Sequence, residues 1–114
     1  MIKIGMDLNI YSARNHEVFK HEGWWDSEQV QEEFYARKFW DLVEHCSFIP
    51  RDYENGDFIE LTEENLEEMI KVACTYKDYF GTYNSVPKLC ELRDKYIEWK
   101  EEENPRKLFL EYDW

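Results

Sequence analysis

Apolar and polar side chains alternate from the start of the chain, with Ile2, Ile4, Met6, Leu8 and Ile10 interleaved with Lys3, Gly5, Asp7, Asn9 and Tyr11. A period of two marks a strand with one buried face, and it suits an antiparallel sheet covered on one side by helices. Residues 15–25 carry no period and read as a loop. Asp26 or Ser27 can cap a helix running to about Cys46, on which Tyr35, Ala36, Phe39, Leu42, Val43 and Cys46 share one face. Phe34 and Trp40 lie off that stripe. Between Phe48 and Leu61 the pattern returns to extended structure, and Asn55-Gly56 tolerates the positive φ of a tight reversal, so a short hairpin is expected.

Thr62 is placed to cap a second helix whose first turn holds Glu63 and Glu64, where the helix dipole favours negative charge. Its buried stripe reads Leu66, Met69, Ile70, Ala73 and Phe80, and Gly81 is a suitable stop. Ser85 is placed to cap a third helix with Pro87 in the opening turn, carrying Leu89, Leu92, Tyr96 and Trp99 to about Glu103. Asn104-Pro105 ends it. Leu108, Leu110, Tyr112 and Trp114 then alternate as a final strand that pairs with an earlier one. The order predicts one compact α+β domain over residues 1–114: a small antiparallel sheet of N-terminal strand, central hairpin and C-terminal strand, packed by about three helices.

Charge changes the picture most. The chain holds 26 acidic against 14 basic residues, a formal net charge of −12 on 114 residues, together with five Trp, eight Tyr and seven Phe. Disordered acidic tails lack such aromatic content, so the charge belongs to a folded surface. That surface repels nucleic acid and anionic membranes and attracts a basic protein groove. No apolar run approaches a membrane span and no charged-then-apolar leader opens the sequence, so a cytoplasmic location in the host cell is expected. Cys46, Cys74 and Cys90, odd in number and widely spaced within expected helices, read as reduced core thiols.

The opening Gly5-Met6-Asp7-Leu8-Asn9-Ile10-Tyr11 resembles the start of a set of small phage and prophage proteins whose N-termini read like Gly-Leu-Asp-Met-Tyr-Leu. The resemblance continues through Phe34-Tyr35-Ala36-Arg37-Lys38-Phe39-Trp40, through Asn55-Gly56-Asp57-Phe58-Ile59, and in a terminal strand ending in Trp114. Asn9 stands where that set has an aromatic or apolar residue, and Tyr-Asp precedes Trp114 in place of a polar pair. The resemblance implies an origin in a phage or mobile element and little about mechanism.

The densest charge feature runs from Asp52 to Glu68, with Asp52, Glu54, Asp57, Glu60, Glu63, Glu64, Glu67 and Glu68 and no basic residue between them. Carboxylates so spaced can stand where nucleic-acid phosphates stand in a Lys and Arg groove, and Tyr53 and Phe58 can add aromatic contacts. The bland alternative is a solvated helix face with a favourable dipole. Asp52, Glu54, Glu60 and Glu63 also fall at positions 1, 3, 9 and 12 of a calcium-loop count, but Gly56 is one residue early for the required turn. His16-Glu17 and His21-Glu22 lack zinc-protease spacing, and His45 suits a helix C-terminus through the dipole. No Ser, Cys or Gly-rich pattern marks a catalytic site. Asp7 is the one carboxylate a sheet could hold for catalysis, and pairing with Lys3 or a neighbour is its ordinary role. Trp24-Trp25 and Trp114 read as packing residues.

The expectation is therefore a non-enzymatic protein without metal or cofactor. Its surface, centred on Asp52 to Glu68, binds and blocks the basic groove of a host protein, a nucleic-acid-handling defence effector, as an anti-CRISPR inhibitor or nucleic-acid mimic does. Two alternatives belong to other classes. One is a small metal-dependent enzyme or binder using His16, His21 and Asp7; the other is a structural phage protein that forms a homodimer or larger oligomer through exposed aromatics.

Overall fold

A computed structural model describes residues 7–20, 30–37, 40–50, 58–76 and 85–113. The fold is α+β. Four strands, β1 (Asp7–Ala13), β2 (Gln31–Arg37), β3 (Ile59–Leu61) and β4 (Lys107–Asp113), form one antiparallel sheet in the order β2-β1-β4-β3. Helices α1 (Trp40–His45), α2 (Glu63–Thr75) and α3 (Ser85–Trp99) accompany it, and His16–Lys20 forms a 3-10 turn after β1.

The alternation at the start of the chain does what a period of two requires. Leu8 and Ile10 are fully buried on the helix-covered face, opposite Tyr112 and Leu110 of β4. β4 sits between β1 and β3, so the last strand closes the sheet's centre, with Leu108, Leu110 and Tyr112 buried on the same side. They join Leu61, Leu66, Met69, Leu89 and Leu92 in the main core. Phe109 points to the opposite face and is buried there under Phe19 and Phe58, with Tyr11 beside them.

The long helix expected from Ser27 to Cys46 is replaced by a strand and a short helix. Phe34 and Ala36 are buried while Tyr35 between them is 39% exposed, which is strand alternation and not a helical stripe. Pairing with β1 gives β2 its backbone hydrogen bonds and carries Phe34 and Ala36 into the core, despite its Gln-Glu-Glu start. The register slips at Ile10/Tyr11, where Glu33 is the extra residue of a bulge. Of the expected stripe, Leu42 and Cys46 remain buried on and just after α1.

Glu33 turns inward into a polar network. Its carboxylate accepts from Ser12 Oγ at 3.0 Å and from Lys95 Nζ at 2.8 Å. Arg106 donates to Ser12 Oγ at 2.9 Å and to the Ser12 carbonyl at 2.7 Å. Ser12 and Arg106 are buried, so this network ties β1, β2, α3 and the approach to β4 together. Burial holds the Arg106 guanidinium below its ordinary pKa; nearby Arg14 adds to the shift and Glu33 opposes it.

α2 begins as its sequence indicates. Thr62 Oγ1 accepts from the Asn65 N–H at 3.1 Å while Asn65 Oδ1 accepts from the Thr62 N–H at 2.9 Å, a reciprocal capping box. Leu66, Met69, Val72 and Ala73 are buried and Ile70 is partly so. The helix ends at Thr75, with Tyr76 as its cap, before Phe80 and Gly81, which lie outside the described residues. α3 buries Leu89 and Leu92, with Tyr96 and Trp99 partly buried against the core. It ends at Trp99, short of Glu103.

The reversal at Asn55-Gly56 lies outside the described residues, and the strand that follows it, β3, pairs with β4. Of the three thiols only Cys46 is a core residue; Cys90 is intermediate and Cys74 is exposed, against the expectation for both. Burial, reinforced by Glu68, pushes the Cys46 thiol up to about 12. Among the described residues, no helix is long and apolar enough to cross a membrane.

Candidate functional site

The predicted acidic segment divides at the start of β3. Asp52, Tyr53, Glu54 and Asp57 lie outside the described residues, while Glu60, Glu63, Glu64, Glu67 and Glu68 fall on β3 and α2. Glu60, Glu64 and Glu67 are exposed and Glu63 is half-buried. Three of them act electrostatically on one phenol. Tyr96 of α3 donates from its hydroxyl to the Leu61 carbonyl at 3.5 Å. Its pKa is raised by burial, with Lys100 opposing and Glu60, Glu63 and Glu64 reinforcing the shift. β3, the start of α2 and the end of α3 meet here, through the Tyr96–Leu61 hydrogen bond and the Lys100–Glu63 pair, and Glu60, Glu63 and Glu64 are carried on the first two of these elements.

Counter-charges come from α3 and the turn after it, far away in sequence. Lys100 Nζ lies 3.3 Å from Glu63 and 5.7 Å from the Tyr96 ring centroid. Arg93 bridges Glu67 at 3.2 Å and Asp94 at 3.4 Å. Both acidic partners are about half exposed, with side-chain accessibilities of 42% for Glu63 and 53% for Glu67. Such exposed, solvent-screened pairs contribute little to stability, so a partner's Lys or Arg exchanges for them at little cost. Among the described residues Glu60 and Glu64 have no ion pair. Glu68 serves the fold: the Ser47 N–H donates to it, and Ser47 Oγ reaches its two oxygens at 2.9 and 2.7 Å, fastening the turn after α1 to α2.

The acidic surface extends beyond the predicted run. Glu101, Glu102 and Glu103 follow Lys100 and are all exposed, and Glu91, Asp94 and Glu98 are exposed along α3. Basic residues interrupt that stretch of sequence and hide it as an acidic run; the Glu101-Glu102-Glu103 triplet is its one visible signal.

The other sequence candidates separate. Asp7 Oδ1 accepts from the Tyr35 hydroxyl at 2.8 Å across the solvent face of the sheet, so its partner is on β2. His21, Trp24, Trp25 and Trp114 lie outside the described residues, and so does the Asp52 to Asp57 part of the calcium-loop count. A groove of about 520 Å³ runs between β2 and α3, with Phe34, Tyr35 and Leu92 among the charged residues Glu32, Glu33, Lys88, Glu91 and Lys95 in its lining. Its mixed charges differ from the mostly apolar lining of small-molecule sites.

No protein-family model matches the chain, and neither a curated protein nor a solved structure is found similar to it. The functional reading rests on the surface itself.

Proposed function

We propose that this chain is a phage- or mobile-element-encoded acidic interaction protein that occupies the basic, nucleic-acid-binding surface of a host protein. A defence effector is the target class, and an anti-CRISPR-like inhibitor is the concrete form. One observation carries the reading: Glu63 pairs with Lys100 beside Tyr96, the exposed Glu60 and Glu64 stand on either side of Glu63 in β3 and α2, and the exposed Glu101 to Glu103 follow Lys100 directly. Clustered carboxylates on a packed helix–strand junction are held in place, which suits charge complementarity and faster encounter with a cationic groove. Asp52, Tyr53, Glu54 and Asp57 directly precede this junction in sequence, and the proposal includes them as partner-binding residues.

The mechanism is occlusion and needs no catalytic group. Carboxylates take the positions of phosphates on the partner's Lys and Arg, and the weak pairs to Lys100 and Arg93 are exchanged for pairs across the interface. Capture from lysate of a host with active defence systems, washed across a salt series, tests it. A nucleic-acid-binding protein is expected to be retained at low salt, released by high salt and lost when Glu60, Glu63, Glu64 and Glu67 are changed to Gln. Retention of the same partner by the Gln variant at every salt concentration contradicts the proposal.

A further inference from the structure

We infer that Asp41, Glu44 and His45 form a binding site for one divalent cation of the zinc type. α1 presents these side chains at spacings of three, four and one residues, and their ligating atoms all lie within 4.8 Å of one another. His45 Nε2 is already 3.7 Å from Asp41 Oδ1. A zinc-type ion needs these donors at about 2.0–2.2 Å, so binding draws the three side chains together around it. One imidazole nitrogen with two carboxylate oxygens selects borderline ions such as Zn²⁺, because calcium and magnesium prefer all-oxygen shells and soft ions prefer thiolates.

Two further features of the surroundings fit a ligand here. The His45 ring stacks on Tyr76, the residue capping α2, at 4.2 Å between centroids and 2° between planes. The imidazole is thus oriented by a second element, as outer-shell contacts orient metal-binding histidines. Beside the triad lies a cavity of about 650 Å³, lined by Glu44, His45, Cys46, Ser47, Ile49 and Tyr112 among others. It gives the remaining coordination positions of the ion space for water or a small anion. These are not the residues of the sequence-level metal alternative, and the site is separate from the acidic junction at Tyr96.

Calorimetric titration of the untagged, chelator-treated protein with zinc chloride, and separately with calcium chloride, tests the site. One zinc ion per chain is expected, bound more tightly than calcium. Asp41→Ala, Glu44→Ala and His45→Ala are each expected to weaken zinc at least about tenfold, the lower end of what loss of even an outer-shell group costs. All three side chains are at least partly exposed, so the variants are expected to keep the wild-type circular dichroism spectrum. A His16→Ala/His21→Ala double variant and a Glu60→Gln/Glu63→Gln/Glu64→Gln variant are expected to bind zinc like wild type. Absence of saturable zinc binding overturns the inference, and so does binding that survives His45→Ala or is lost only in the His16/His21 or Glu variants.

Discussion

Arg106 carries a charge almost wholly out of water and spends it on Ser12, whose hydroxyl and carbonyl both accept from the guanidinium. Removing the donor leaves a buried carbonyl and hydroxyl without it, so Arg106→Ala is expected to lower stability by about 1.5–3 kcal/mol in a denaturant titration. Cys46 makes a pH-dependent contribution. Its thiol is raised from 9.0 to about 12, so below about pH 9 it is protonated in both states and contributes no pH dependence. Between about pH 9 and about pH 12 only the unfolded chain releases the proton, and stability falls as pH rises. Denaturation at a series of alkaline pH values is expected to show that decline, and Cys46→Ala to flatten it. At neutral pH a thiol-alkylating reagent is expected to modify exposed Cys74 and spare Cys46 until the chain unfolds.

At the scale of elements, the capping box of α2 is the clearest local device. Thr62→Ala is expected to cost about 0.5–2 kcal/mol, measured as a lower denaturation midpoint. α2, α3, β1 and β4 were legible in the sequence because each keeps one period over several turns or alternations, with a cap or a breaker at an end. β2 was not. Tyr35, Ala36, Phe39 and Leu42 fit a helical face, and Gln31-Glu32-Glu33 has weak strand propensity. What the strand gains appears only once the sheet is assembled: pairing with β1 buries Phe34 and Ala36 in the core while leaving Tyr35 outside. Phe34, off the helical stripe yet buried opposite Ile10, was the one residue that argued for the strand.

For the whole molecule, a net charge of −12 acts on stability and on binding with opposite dependence on salt. Added salt screens self-repulsion beyond a Debye length of about 8–10 Å, so the isolated protein is expected to melt at a higher temperature in moderate salt. The same salt weakens association with a basic partner. The concentration of acid between Asp52 and Glu68 was visible in the sequence, but its use was not. Arg93 and Lys100 reach Glu67 and Glu63 only through packing of α3 on α2, and Glu68 is committed to Ser47. The Asp41, Glu44 and His45 cluster escaped notice because its spacing matches no zinc motif and Tyr76 arrives from another helix. The most direct test of the central claim is displacement: a captured host partner is loaded with labelled nucleic acid and titrated with this protein at two salt concentrations. Stoichiometric release at low salt, reduced at high salt and absent with Glu60, Glu63, Glu64 and Glu67 changed to Gln, is the predicted result. Binding to the partner while the nucleic acid stays in place would contradict it.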